Sequence, residues 1–150
     1  MIDTLLWSLL GVIAGACIAI QAPINGQLGQ NLGLPLAAAA ISFAVGTVVL
    51  VVGTLVTSQL QGVAPRWSVP APWTFIVGGC LGTVYVTSSI LLTPRIGAAA
   101  VMGLSVAGQL LAGMAVDRIG FMGIAVREIS LGRIAGAVLL IAGVLLIRVF

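Results

Sequence analysis

A chain of 150 residues with 61% hydrophobic and only 6% charged side chains cannot cover the surface of a soluble domain, in which about a quarter of the residues are charged. The six basic residues are all Arg and are scattered, so no clustered positive face points to a nucleic-acid partner. With no His and only two Cys, Cys17 and Cys80, each inside an apolar run, the chain also lacks the ligand set of a metal site.

Five apolar runs follow one another along the chain, each long enough to cross hydrocarbon as a helix. We place these spans at residues 4–24, 34–57, 73–93, 96–116 and 130–149. A spanning helix needs about 20 apolar residues, so five spans leave no room for a soluble domain. None of the runs alternates polar with apolar residues as a barrel strand does. The sequence therefore predicts an all-α integral membrane protein with five transmembrane helices.

The first run ends in the densest group of uncharged polar side chains, which comprises Gln21, Asn25, Gln27, Gln30 and Asn31. Pro23 lies among them and cannot donate the backbone hydrogen bond that a continuous helix needs at that point. If the span breaks at Pro23, free carbonyls and carboxamides would meet near membrane depth, as they do in transporter sites. The alternative is an ordinary uncharged loop between the first two spans.

The later connections are short and are marked by turn-forming or capping residues. Pro35 suits the first turn of the second helix, and Ser130 suits the N-cap of the fifth. Residues 59–72 form the clearest loop, residues 93–95 a very tight connection, and residues 124–129 a short amphipathic turn that lies flat in the interface. The sequence therefore predicts helices joined without a further domain between them.

The arginines give only a weak orientation signal. With five spans, the side of the N-terminus holds Arg66, Arg118, Arg127 and Arg133, and the other side holds Arg95 and Arg148. The excess favours an N-terminus inside the cell. A bias this small also suits insertion in both orientations.

Polar side chains inside the third and fourth runs are further candidates for a solute pathway. Ser105 and Gln109 stand one helical turn apart in the fourth run, and Tyr85 and Ser88 lie in the second half of the third. An unpaired carboxamide in hydrocarbon is costly, so Gln109 must face protein or a wet cavity. It either holds helices together or lines a pathway, and the sequence leaves both open. The candidate pathway residues are therefore Gln21, Asn25, Tyr85, Ser88, Ser105 and Gln109.

Small residues recur four positions apart and predict close helix packing. The pairs are Gly11 and Gly15, Ser42 and Gly46, Gly78 and Gly82, and Gly132 and Gly136. Such residues let helix backbones approach where no hydrophobic effect drives their association. We therefore assign these eight positions to helix contacts rather than to a ligand.

No run carries an acidic or basic residue at its centre. Asp117 stands at the end of the fourth run beside Arg118, and we expect these two side chains to form an ion pair at the membrane boundary. A pathway through this chain is therefore expected to be neutral and hydrogen-bonding, without a visible coupling ion. Without His or a mid-membrane carboxylate, the residues also argue against an enzyme, and none suggests a cofactor.

Three stretches of the chain carry one recognisable pattern. They are Gly15–Gly33 with Ala38–Thr47, then Trp73–Val86 with Pro94–Gly97, then Val106–Gln109 with Asp117–Gly120 and Arg133–Gly136. Together they resemble the YdcZ family of the drug/metabolite transporter superfamily, and the resemblance covers nearly the whole chain. Its most specific element is the pair Gly108-Gln109, which is followed by Asp117 and, three residues after Asp117, by Gly120.

The resemblance implies a five-helix half of a ten-helix fold in the bacterial inner membrane. In the ten-helix members two inverted repeats enclose a substrate pocket. A lone repeat would therefore form an antiparallel dimer, with itself or with a paralogous five-helix subunit. The matching polar positions in this chain are Gln21, Asn25, Tyr85 and Gln109, to which the resemblance assigns no individual role.

We therefore predict a small transporter that exports small organic solutes by alternating access within a dimer. One alternative is a passive channel, although the sequence has no charged ring or carbonyl-filter motif. The other is a structural or regulatory membrane subunit. A channel would pass solute without a coupling gradient, whereas a structural subunit would tolerate replacement of Gln109 by Leu.

Overall fold

The computed structural model describes the backbone of residues 2–150 and the side chains of residues 4–150. Its five long helices are α1 (Ile2–Leu32), α2 (Pro35–Gln61), α3 (Thr74–Ile96), α4 (Ala98–Ile119) and α5 (Leu131–Val149). All five are long and apolar enough to cross a membrane, which confirms the predicted all-α chain with five spanning helices. The chain divides after Pro94 into two compact units.

Helix α1 is much longer than the span that the sequence predicts. It holds 31 residues and passes Pro23 without a break, so the predicted break and the alternative loop are both wrong. Pro23 deprives only the carbonyl of Ala19 of its usual donor, and a membrane helix tolerates one such loss. At 1.5 Å per residue the helix is roughly 46 Å long, well beyond the hydrocarbon thickness of about 30 Å. The polar last third of α1 is helical as well.

A tight turn folds α2 back against α1 in the first unit. Gly33 has a φ of 69°, a left-handed conformation that favours glycine. Pro35 then opens α2 in its first turn, as predicted. A Cβ at Gly29 would lie 3.0 Å from Ile90 Cγ2 and 3.3 Å from Pro35 Cα. Glycine at that position is what lets α1, the start of α2 and the end of α3 come together.

The core of the first unit is small and lies beside this turn. It consists of Ala38 and Ala39 from α2 and Ile90 from α3, with Leu28 of α1 and Val86 of α3 packed against them. Alanines allow close approach between helices, which dispersion and packing must stabilise in lipid. The ends of α1 and α3 both meet the start of α2, so α2 runs antiparallel to each of them.

In the second unit α4 and α5 form an antiparallel hairpin. A Cβ at Gly103 would lie 2.9 Å from Val144 Cγ2, so the glycine permits the close approach of the two helices. At the other end Asp117 of α4 pairs with Arg133 of α5. The hydroxyl of Ser130 accepts the backbone N–H of Arg133 at 3.3 Å, which confirms Ser130 as the N-cap of α5.

Two connections differ from the predicted ones. Helix α3 runs through residues 93–95 and ends at Ile96, where Gly97 takes a φ of 82°. Pro94 is tolerated because it removes a single backbone bond near the helix end. Residues 124–130 form no amphipathic helical turn, since only a short 3₁₀ turn at Phe121–Gly123 precedes an irregular segment. The N–H of Arg127 holds that segment by donating to the carbonyl of Asp117 at 3.0 Å.

Candidate functional site

Three uncharged polar side chains of α1 and α2 form one hydrogen-bonded group, which we call the carboxamide cluster. Gln21 Nε2 lies 3.3 Å and Asn25 Nδ2 lies 3.1 Å from the same acceptor, Ser42 Oγ. Gln21 and Asn25 can both reach it because residues four apart on a helix share a face. The structure thus joins two of the predicted pathway residues through Ser42, which the sequence assigned to helix packing.

Beside the cluster lies a narrow cavity between α1 and α3, which we call the slot. Its polar lining consists of Gln21, Asn25, Tyr85 and Ser89. Its volume is about 20 Å³, room for a single water-sized group. The remaining lining is apolar, so one polar group that enters the slot meets these four side chains and little else.

A larger cavity, which we call the chamber, lies on the α2 side of the cluster. It has a volume of about 260 Å³ and takes its polar lining from Gln21, Ser42 and Thr47. Phe43, Leu50 and Val86 give it apolar walls. Gln21 and Val86 line both cavities, so the slot and the chamber are neighbours that share these two residues.

Asn25 and Ser89 are the buried polar residues among the described side chains, with 7% and 5% of their surfaces exposed. The hydroxyl of Ser89 donates to the carbonyl of Tyr85 at 2.9 Å, one helical turn earlier. Tyr85 is half-buried, whereas Ser88 is exposed and does not line the slot. Ser89 was not among the predicted pathway residues, although its i, i+4 spacing from Tyr85 places the two side chains on one face of α3.

The other two predicted pathway residues belong to α4 of the second unit. Ser105 is half-buried and Gln109 is exposed. Within the described part of the chain, the carboxamide of Gln109 makes no hydrogen bond. In hydrocarbon such a group needs a partner, and its role as helix contact or pathway residue stays a prediction.

The predicted packing glycines differ in what surrounds them within this chain. A Cβ at Gly82 would lie 3.3 Å from Phe43 Cζ, so this glycine faces α2 closely. A Cβ at Gly132 would meet only Ser130 Oγ, at 3.9 Å. The rest would meet no neighbouring atom of the described residues within 4 Å, namely Gly11, Gly15, Gly46, Gly78 and Gly136. Packing of those five therefore remains a prediction.

The chemistry available at the cluster is hydrogen bonding without charge. None of the residues that line the slot or the chamber is ionisable at neutral pH. Among the described residues, no group of three His, Cys, Asp or Glu side chains could hold a metal ion. The predicted ion pair of Asp117 with Arg118 is wrong, because the carboxylate of Asp117 pairs with Arg133 instead. The two cavities therefore offer hydrogen bonds and apolar contact without a charged side chain in their lining.

Comparison with known proteins agrees with a membrane-embedded chain. Residues 6–146 match the family model described as "Putative inner membrane exporter, YdcZ". The chain is 29% identical over 136 residues to "Inner membrane protein YdcZ" of Escherichia coli (strain K12), covering 91% of this chain and 90% of that protein. No solved structure matches the chain.

Proposed function

The chain belongs to the YdcZ family of inner membrane exporters, and we propose that it exports small organic solutes as one half of a dimer. It is a multi-pass inner membrane protein, and its family is described as an inner membrane exporter. The finer claims in this proposal are the direction of transport, the kind of solute and the dimeric assembly.

The observation that carries the proposal is the carboxamide cluster beside two neighbouring cavities that share lining residues. Gln21, Asn25 and Ser42 lie inside helices that are long and apolar enough to span the membrane. Placing such groups among apolar helices is costly unless they find partners. Here they converge on one point and line two cavities. That is the arrangement expected of a solute site and not of helix packing alone.

The proposed mechanism is alternating access. A solute would bind at the cluster while the site is open to one side of the membrane, and the two halves of the dimer would then rock to open it to the other. Gln21 and Val86 line both the slot and the chamber, so a small shift of α1 would change the shape of both cavities. The affinity must differ only modestly between the two open states, because a large difference would trap the solute.

Two features support a dimer. Gln109 is exposed on an apolar helix and lacks a partner within the described chain, and five of the predicted packing glycines face open space. A second five-helix subunit would cover both and would complete a ten-helix assembly. In the ten-helix fold that the family resemblance implies, the two halves are inverted, so the second copy would insert in the opposite orientation. A paralogous subunit could take that place instead of a second copy.

The test is transport by the purified full-length chain in liposomes, measured on a panel of small organic metabolites with and without a proton gradient. We expect saturable flux of at least one solute, with a strong loss in Asn25→Ala. Thr54→Val is the matched control, since the Thr54 hydroxyl bonds to Leu50 O of its own helix and lines neither the slot nor the chamber. Flux that never saturates would favour a passive channel. An absence of flux under every condition would favour a structural subunit.

A further inference from the structure

We propose that the carboxamide cluster selects uncharged solutes that carry a hydroxyl or amide N–H group on a compact apolar body. This substrate class rests on the proposed transport function, and it is argued from hydrogen-bond capacity, charge and volume. None of these three arguments depends on the oligomeric state, since every residue concerned lies in the first unit.

The first argument counts the protons at Ser42. Its hydroxyl carries one proton and two lone pairs. Both Gln21 and Asn25 reach this hydroxyl, at 3.3 Å and 3.1 Å. The single proton of Ser42 could serve one carboxamide oxygen at most, whichever way the two amides are turned. At least one amide must therefore donate its N–H to Ser42 and turn its oxygen elsewhere.

The second step asks where that oxygen points. Asn25 is buried and lines the slot. The hydrogen bond from Asn25 to Ser42 runs through Nδ2, which leaves the carbonyl oxygen of Asn25 without a share in that bond. Because Asn25 lines the slot, we assign this oxygen to a donor that enters the slot. A carbonyl oxygen in an apolar cavity needs a donor, which a solute hydroxyl or amide would supply.

The next argument concerns the charge of the solute. An ammonium group at the slot would find no carboxylate on its walls, and a carboxylate would find no Arg or Lys. Transfer of either ion from water to such a site is strongly unfavourable without an opposite charge. An uncharged donor meets the carboxamide oxygen without that penalty.

The volumes of the two cavities define the size of the proposed solute. The slot of about 20 Å³ admits one water-sized group, and the chamber of about 260 Å³ has apolar walls. Sites for drug-sized molecules are larger, about 300–1,000 Å³. A single polar head in the slot with a small apolar body in the chamber therefore fits both cavities.

The experiment uses the full-length chain in lipid nanodiscs and four fluorinated probes followed by fluorine NMR, with empty nanodiscs subtracted. The first two probes, para-fluorobenzyl alcohol and para-fluoroanisole, are isomers that differ in whether the oxygen carries a proton. The other two, para-fluorobenzylamine and para-fluorobenzoate, present a cation and an anion on the same ring. We expect saturable binding of the alcohol, at least about tenfold tighter than that of the other three, as the loss of one good hydrogen bond implies.

Variants locate the selectivity. Ser42→Ala releases the two carboxamides and should weaken alcohol binding about tenfold without changing binding of the ether, whereas Ser42→Thr keeps a hydroxyl and should preserve the preference. Asn25→Leu is close in volume and should make the alcohol and the ether equal. Thr54→Val should resemble the unaltered chain. Helix content and elution volume are checked for each, so that a misfolded variant is replaced by the next.

Equal binding of the alcohol and the ether, tighter binding of the amine or the benzoate, or no saturable binding at all would overturn the proposed class. Failure of the transport function looks different. Alcohol-selective binding without flux in liposomes would leave the selectivity standing and remove the transporter. Saturable flux of a charged solute without preference for the alcohol would keep the transport function and remove the proposed selectivity.

Discussion

The carboxylate of Asp117 near the end of α4 pairs with the guanidinium of Arg133 in the first turn of α5. Arg133 Nη1 also donates to the carbonyl of Glu128 at 3.4 Å. The carbonyl of Asp117 in turn accepts the N–H of Arg127 at 3.0 Å. One residue on each helix therefore fastens the irregular connection that lies between them.

A double-mutant cycle should detect this ion pair. Asp117 and Arg133 are partly buried, so Asp117→Asn and Arg133→Gln should each lower the free energy of unfolding, with a coupling of about 1 kcal/mol between them. The measurement is unfolding of the purified chain in mixed micelles by increasing SDS. The control cycle combines Asp117→Asn with Arg118→Gln and should show no coupling. Coupling in the control cycle alone would restore the sequence-based pairing.

Close packing at Gly29 gives a second prediction. A Cβ there would lie 3.3 Å from the backbone atom Pro35 Cα, which cannot move aside as a side chain can. Gly29→Ala should therefore destabilise the chain by about 1–3 kcal/mol, the usual range for overpacking. Gly53→Ala in α2, where nothing lies within 4 Å and which belongs to none of the predicted packing pairs, should cause no loss, since Ala is the better helix former. Equal effects in the same SDS titration would contradict this packing of α1.

The five helices could be predicted from sequence because apolar length alone dictates a spanning helix. The end of α1 could not. Residues 21–31 are rich in carboxamides, and Pro23 is usually a helix breaker, yet the remaining backbone bonds of α1 form whatever the polarity of its side chains. Helix α3 passes Pro94 for the same reason. Local polarity therefore does not mark the end of a helix.

The candidate site was half visible in the sequence. The i, i+4 spacing of Gln21 and Asn25 places both on one face of α1, which a single sequence does show. That Ser42 accepts from both depends on the register of α1 against α2, and small residues at Gly29 and Ala38 set that register through contacts remote in sequence. Likewise one step of about 100° around α3 separates the exposed Ser88 from the buried Ser89.

Thr87 on α3 supplies a third prediction. Its Oγ1 is fully buried and has no hydrogen-bond partner among the described residues, whereas the hydroxyl of Thr93 donates to the carbonyl of Ser89 at 2.7 Å. Thr87→Val keeps the shape and removes an unsatisfied hydroxyl, so the variant should be more stable than Thr93→Val by about 1 kcal/mol. SDS unfolding of both variants measures the difference. If Thr87→Val is instead the less stable, that hydroxyl has a partner outside this chain.

Gln109 distinguishes the transporter from a structural subunit. Its carboxamide is exposed on α4, and we propose that a second subunit or the solute pathway satisfies it. Gln109→Leu suits lipid better and should leave helix content and SDS stability of the monomer unchanged, while flux in liposomes falls by about tenfold or more, the effect of losing one hydrogen bond worth about 1.4 kcal/mol. Gln109→Asn keeps the carboxamide and should retain part of the flux.

Crosslinking in the same liposomes then separates the two roles of this residue. A loss of dimer with the loss of flux assigns Gln109 to the subunit contact, and a retained dimer assigns it to the pathway. Unchanged flux in Gln109→Leu would show that neither role is required for transport.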